Sequence, residues 1–146
     1  MKKKLLIIVM LLTCIILTGC SSKFDKEYNI NTNNLFVYDN VNNIINKINN
    51  KDTLLLFVGN NNNNLSKDMV NILIDKSRDN DLEKIYYINN SDNDYNKLKD
   101  IIKYDNDTYI VSILNGEIDK VSNDTNDVND IVKSVVETLL TCNSSC

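Results

Sequence analysis

The sequence lacks histidine, tryptophan and proline altogether. The absence of histidine excludes Ser-His-Asp triads, imidazole acid–base catalysis and histidine-ligated metal sites. The absence of proline excludes a cis X-Pro bond, and a cis peptide before any other residue costs about 3 kcal/mol. Attention therefore falls on the four cysteines.

The first twenty residues carry a targeting pattern. Three lysines at positions 2 to 4 precede an uncharged, largely apolar stretch over residues 5–17, and Leu17-Thr18-Gly19-Cys20 closes it. A helix of about 13 residues reaches roughly 20 Å, short of the roughly 30 Å hydrocarbon core, so the pattern favours a cleaved signal over a membrane span. The final four residues resemble the lipobox of bacterial lipoproteins. A plain signal peptide with an incidental cysteine is the alternative.

The lipobox resemblance implies a membrane anchor. Residues 1–19 are then a signal peptide that is removed, and the sulfur of Cys20 carries a diacylglyceryl group on the extracytoplasmic face of the cell membrane. Two acyl chains give stable anchoring, whereas one chain is marginal. Residues 20–33 are polar and predict a lipidated tether, which extended would reach up to roughly 40 Å.

The remaining 127 residues, 146 minus 19, are enough for one domain. Without the three leader lysines, 13 basic residues face 20 acidic ones, a net charge of −7. This charge excludes nucleic acid as a partner, and it predicts a body that stands away from the membrane on its anchor because anionic lipid repels it. We expect the protein to be a monomer. The abundance of asparagine, isoleucine and lysine is typical of an AT-rich genome and suggests a low-GC Gram-positive bacterium.

Strand-like and helix-like patterns alternate from residue 34 to residue 140. The continuous apolar run of residues 54–58 predicts a strand buried on both faces. Asn115-Gly116 between two β-type runs predicts a hairpin. The helix after the central strand has Asn64 or Ser66 as its expected N-cap. The order β-α-β-α-β-α-β-β-α predicts an α/β domain with a central mixed sheet.

This element order resembles the thioredoxin fold over residues 34–140. Three segments carry the resemblance: TLLLFVG (53–59), SKDMVNIL (66–73) and TYIVSILNGEIDKVS (108–122). They resemble the strand before the family's active-site loop, the helix after that loop, and the family's Pro-Thr, strand, Asn-Gly, strand segment. The resemblance implies a thioredoxin-like domain over residues 34–140 and a cysteine-containing tail over residues 141–146.

The resemblance also implies where the redox site would lie. The family's Cys-x-x-Cys falls on residues 63–66, so that Asn63 and Ser66 replace its cysteines, and Asp107 replaces its cis-proline. Dithiol exchange needs a low-pKa thiolate at a helix N-terminus and a second thiol that resolves the mixed disulfide. These degenerate positions supply neither thiol. The sequence therefore predicts no catalytic residues at this site and favours a protein that is not an enzyme.

Two features outside that redox motif leave alternatives open. The asparagines at positions 60–64 form either a flexible polar loop or a binding site for a peptide or an anion beside a helix N-terminus. Cys142 and Cys146, spaced i, i+4 near the C-terminus, form a small structural bridge, stay as free thiols, link to a partner, or act as a relocated redox centre.

Three acidic segments, at residues 92–94, 105–107 and 124–127, resemble calcium loops in composition only. A calcium loop of the EF-hand type needs a turn glycine, a distal glutamate and five or six ordered oxygen ligands. We interpret these segments as solvated loops and helix caps, and we predict no metal site and no cofactor.

Three functions therefore remain. The first is a membrane-anchored, non-catalytic binding or accessory module for a secreted or membrane polypeptide. The second is a thiol–disulfide oxidoreductase that works through Cys142 and Cys146 or through a partner. The third is a small surface lipoprotein of the immunity or adhesion type.

Overall fold

A computed structural model of the chain describes residues 22–143, except for the side chain of Asn143. The predicted signal peptide, Cys20 and Cys146 lie outside the described residues. The helices within that range are α1 (Lys23–Tyr28), α2 (Val41–Asn49), α3 (Asn64–Asp79), α4 (Tyr95–Ile102) and α5 (Val128–Asn143). The strands are β1 (Phe36–Tyr38), β2 (Leu54–Gly59), β3 (Ile85–Asn89), β4 (Tyr109–Leu114) and β5 (Glu117–Ser122), and a short 3₁₀ turn spans Thr125–Asp127.

The five strands form one mixed sheet in the order β1-β3-β2-β4-β5. Strands β1, β3 and β2 are parallel, whereas β4 runs antiparallel to β2 and β5 antiparallel to β4. The parallel strands all end at the same side of the sheet, which we call the carboxyl edge. The prediction of an α/β domain with a central mixed sheet is confirmed.

Strand β2 is buried at every residue, as its continuous apolar run predicts. Its side chains alternate between two apolar layers, because successive residues of a strand point to opposite faces. Leu55 and Phe57 belong to the layer that includes residues of α3 and α5. Leu54, Leu56 and Val58 belong to the layer that includes residues of α2 and α4. Helices therefore cover both faces of the sheet.

The β4–β5 hairpin turns at the two residues that the sequence predicts. Asn115 has a φ of 52° and Gly116 a φ of 81°, the left-handed conformation that a tight hairpin turn requires. The amide of Gly116 donates to the carbonyl of Asp52 at 3.0 Å. A Cβ at this position would lie 2.3 Å from the carbonyl oxygen of Ile48, so only glycine fits. The turn lies at the edge of the sheet opposite to the carboxyl edge.

The expectation that residues 20–33 form a tether is wrong for the part of that segment that the structure describes. Phe24 in α1 is fully buried and stacks on Phe36 of β1, with 4.0 Å between ring centroids. The Ser22 hydroxyl caps α1 by accepting from the Asp25 amide at 3.0 Å. The buried Asp25 carboxylate in turn accepts from the Thr32 hydroxyl at 2.5 Å. The segment packs because one large aromatic side chain enters the core and polar side chains satisfy the backbone around it.

The C-terminal boundary also differs from the prediction. Helix α5 continues past residue 140 to Asn143 and includes Cys142, whose thiol is exposed. The Thr141 hydroxyl donates to the carbonyl of Thr138 within the last turns of this helix. Across residues 22–143, none of the helices combines the length and the apolar character that a membrane span requires.

Candidate functional site

The positions that the sequence assigned to a degenerate redox site meet at the carboxyl edge. Ser66, in the first turn of α3, and Thr108, just before β4, are both buried, and their hydroxyl oxygens lie 2.7 Å apart. The antiparallel pairing of Tyr109 with Val58 brings the start of β4 next to the end of β2. Asp107 is therefore also at this edge, and its backbone carbonyl accepts from the side-chain amide of Asn90 at 2.6 Å.

Asn63 is the N-cap of α3, one residue before Asn64 and three before Ser66, the two expected caps. Its side-chain oxygen accepts from the Leu65 amide at 2.8 Å. Ser66 does not cap the helix, because its side chain points into the protein and accepts from the backbone amide of Asn60 at 3.2 Å. Gly59 leaves room for this arrangement, since a Cβ there would lie 2.6 Å from the Ser66 hydroxyl.

The asparagines at positions 60–64 are largely used by the fold itself. The side-chain amide of Asn60 donates to the side-chain oxygen of Asn90 at 2.8 Å. The side-chain amide of Asn61 donates to the backbone carbonyl of Glu27 at 2.7 Å. Asn62 and Asn64 are exposed. The loop is thus bonded to its neighbours on two sides, and it presents Asn62 and Asn64 to solvent.

Helix α1 is part of this site, and the sequence analysis missed it. The Glu27 carboxylate accepts from the Tyr87 hydroxyl at 2.6 Å and from the side-chain amide of Asn89 at 2.8 Å. The Tyr87 hydroxyl also lies 3.2 Å from the carbonyl of Gly59, its second acceptor. The local signals for this helix were the aromatic pair Phe24 and Tyr28, spaced i, i+4, and the Ser22-x-x-Asp25 pattern at its start.

Two buried tyrosines, Tyr28 and Tyr87, lie beside Ser66 and stay protonated. Burial raises the pKa of Tyr87, and the hydrogen bond that it donates to Glu27 raises this pKa further. Burial raises the pKa of Tyr28 to about 12. No residue in the described range makes a well-formed hydrogen bond to the Tyr28 hydroxyl, although the hydroxyls of Tyr87 and Ser66 lie close by. Both phenols are therefore neutral at ordinary pH, and neither acts as a base toward Ser66.

Cys142 lies far from this site. Its sulfur is 3.9 Å from the side-chain oxygen of Asn115, in the β4–β5 turn. Strand β4 separates that turn from Thr108, and seven residues of extended chain span about 23 Å. Cys142 therefore cannot supply a thiol to the Ser66 and Thr108 site within one molecule. The described part of the chain also contains no group of three side chains suited to hold a metal ion.

Comparison with sequence models of known protein families finds no match, and a search of curated proteins finds no significant relative.

Proposed function

We propose that this chain is a lipoprotein of the extracytoplasmic face of the cell membrane. Its thioredoxin-like domain, which lacks the redox cysteines, acts as a non-catalytic binding or accessory module for a secreted or membrane polypeptide. Cys20 carries the lipid, and the loop of residues 60–64 contributes the contacts to the polypeptide.

The observation that carries this proposal is the contact between Ser66 and Thr108. The thioredoxin resemblance assigns Ser66 to the second redox cysteine, and Thr108 to the residue after the proline that shapes the substrate groove. These residues are 42 positions apart in the sequence, yet their hydroxyls lie 2.7 Å from each other. The element order of the structure from β1 to α5, with its final antiparallel hairpin, also supports a thioredoxin-like domain.

A binding role is favoured over a redox role by the chemistry of the same edge. Asn63 and Ser66 cannot form a disulfide, and the thiol of Cys142 lies at the opposite edge of the sheet. The exposed amides of Asn62 and Asn64 each offer donors and an acceptor, which are the groups that a polypeptide backbone requires.

The anchor is tested by replacing Cys20 with serine in the full chain. We expect the wild type to incorporate labelled fatty acid and to sediment with membranes. The Cys20→Ser variant is expected to lose the label and to enter the soluble fraction. Unchanged membrane attachment of the variant would overturn the proposed anchor.

Binding is tested with a photo-activated crosslinker at Asn62 and, as a matched control, at the exposed Glu117 in the opposite edge of the sheet. The probe is a reduced and carboxymethylated polypeptide that cannot fold. We expect crosslinks from position 62 at several times the yield from position 117. Equal yields at the two positions would show that this edge does not bind unfolded chains.

A further inference from the structure

We infer that the carboxyl edge of the sheet, with the loop of residues 60–64, is held against the lipid surface rather than projected away from it. This inference rests on the proposed lipidation of Cys20, and it concerns the orientation of the domain on that anchor. It replaces the long tether that the sequence predicted with a short connection.

Helix α1 is fixed to the domain by the packing of Phe24. Phe24 is fully buried among Phe36, Phe57 and Tyr87, with ring centroids 4.0, 6.5 and 4.8 Å away. The hydrogen bonds of Ser22 and of Asp25 fix the start of the helix and its return to Thr32. Residues from Ser22 onward are thus part of the folded body.

Only a short segment of chain lies between the lipidated residue and the start of α1. Consecutive Cα atoms are 3.8 Å apart, so the Cα atoms of Cys20 and Ser22 are at most about 7.6 Å apart, whatever path the chain takes. The folded body therefore begins within about 8 Å of the lipidated residue. A free segment of 12 residues would have allowed roughly 40 Å.

Both ends of α1 lie near the carboxyl edge of the sheet. The Lys23 ammonium lies 3.3 Å from the ring centroid of Tyr38, the last residue of β1. At the other end of α1, the backbone carbonyl of Glu27 accepts from the side chain of Asn61 in the loop. The Glu27 carboxylate accepts from the side chain of Asn89, the last residue of β3. The point of attachment is therefore at the carboxyl edge, whereas the β4–β5 turn lies about 20 Å away across a six-residue strand.

Charge then selects between an upright and a flat pose. The net charge of −7 for residues 20–146 repels the body from an anionic leaflet. A short connection prevents the attached edge from leaving the surface, so the repulsion turns the opposite edge outward. A polypeptide that contacts the loop of residues 60–64 then meets it at the membrane surface.

The experiment uses the full lipidated chain in vesicles of phosphatidylethanolamine and phosphatidylglycerol. Cys142 and Cys146 are replaced with serine, and one fluorophore is attached at Asn62→Cys or at Glu117→Cys. Lipids with a nitroxide on the headgroup then quench the fluorophore. We expect at least threefold stronger quenching at position 62 than at position 117.

A matched variant tests the cause. Inserting 12 glycine and serine residues between Ser21 and Ser22 restores a long tether, and we expect it to remove most of the difference between the two positions. Equal quenching without the insertion, in protein that floats with the vesicles, would overturn the orientation and leave the anchor intact. Protein that does not float with the vesicles would overturn the anchor and the orientation together.

Discussion

The hydroxyl oxygen of Ser66, in the first turn of α3, lies 2.7 Å from that of Thr108, the residue before β4, and both side chains are buried. The same Ser66 oxygen accepts from the Asn60 amide, so one small side chain joins the helix, the loop and the strand. Removing one partner of a buried hydrogen bond lowers the free energy of unfolding, because the other partner is left unsatisfied. Replacing both partners with apolar groups costs much less.

Ser66→Ala is expected to lower the free energy of unfolding by about 1–3 kcal/mol, because Thr108 and the Asn60 amide lose a partner. The double variant Ser66→Ala/Thr108→Val is expected to cost less than the sum of the single variants by at least about 0.5 kcal/mol. Urea unfolding of the four proteins gives this coupling.

Ser77→Ala is the matched control for this cycle. Ser77 is a buried serine of the same helix, and no residue in the described range bonds to its hydroxyl. We expect Ser77→Ala to be neutral or stabilising. Additive effects of Ser66→Ala and Thr108→Val would contradict the bond between them.

Phe24→Ala tests whether α1 belongs to the folded body. Removing a fully buried phenylalanine from a core costs about 3–5 kcal/mol, and we expect a loss in this range from thermal or urea unfolding. Lys26→Ala, an exposed change in the same helix, is expected to stay within about 0.5 kcal/mol of the wild type. If Phe24→Ala lowers the free energy of unfolding by less than about 1 kcal/mol, α1 is not part of the folded body and the segment acts as a tether.

Stability is expected to fall at alkaline pH through the buried tyrosines. Burial raises the pKa values of Tyr87 and Tyr109 in the folded state, so the unfolded chain loses these protons first, above the unfolded pKa of about 10. The stabilisation is complete below pH 10 and declines above it, by at most about 1.4 kcal/mol per pH unit for each tyrosine.

Tyr87→Phe separates this effect from packing. We expect a lower free energy of unfolding at pH 7, because the bonds to Glu27 and Gly59 are lost, and a shallower decline between pH 10 and 11. Tyr86→Phe, at the half-buried neighbouring position, serves as the control. A decline as steep in Tyr87→Phe as in the wild type would contradict the assignment.

The sequence predicted the elements whose signals are local. The apolar run in β2 is continuous because both of its faces are covered, and Asn115-Gly116 leaves the hairpin little choice of conformation. These features are visible without tertiary information because the backbone period and the allowed φ values are properties of the segment itself.

The features that the sequence did not predict depend on contacts between distant residues. Helix α1 has six residues and a single aromatic pair, too few for a reliable period, and its position is set by stacking of Phe24 on Phe36. Five consecutive asparagines are chemically equivalent caps, so the sequence alone does not select Asn63 as the N-cap. The sequence also contained no indication that Glu27 lies at the same edge of the sheet as Asn61 and Asn89.

We propose that the β2–α3 junction has the geometry of a thioredoxin-like redox site without its two cysteines. Placing cysteines at both positions tests this proposal. The double variant Asn63→Cys/Ser66→Cys is made in a chain whose four native cysteines are all replaced with serine, so that the two new thiols are the only ones. Thiol titration and reduction of insulin by dithiothreitol are measured against the parent chain.

We expect the oxidised double variant to have no free thiols and, when reduced, to speed insulin reduction at least tenfold over the parent, because a cysteine at the N-terminus of α3 gains thiolate character. Two thiols that stay free under oxidising conditions in a folded protein, with insulin reduction no faster than in the parent chain, would contradict the claim.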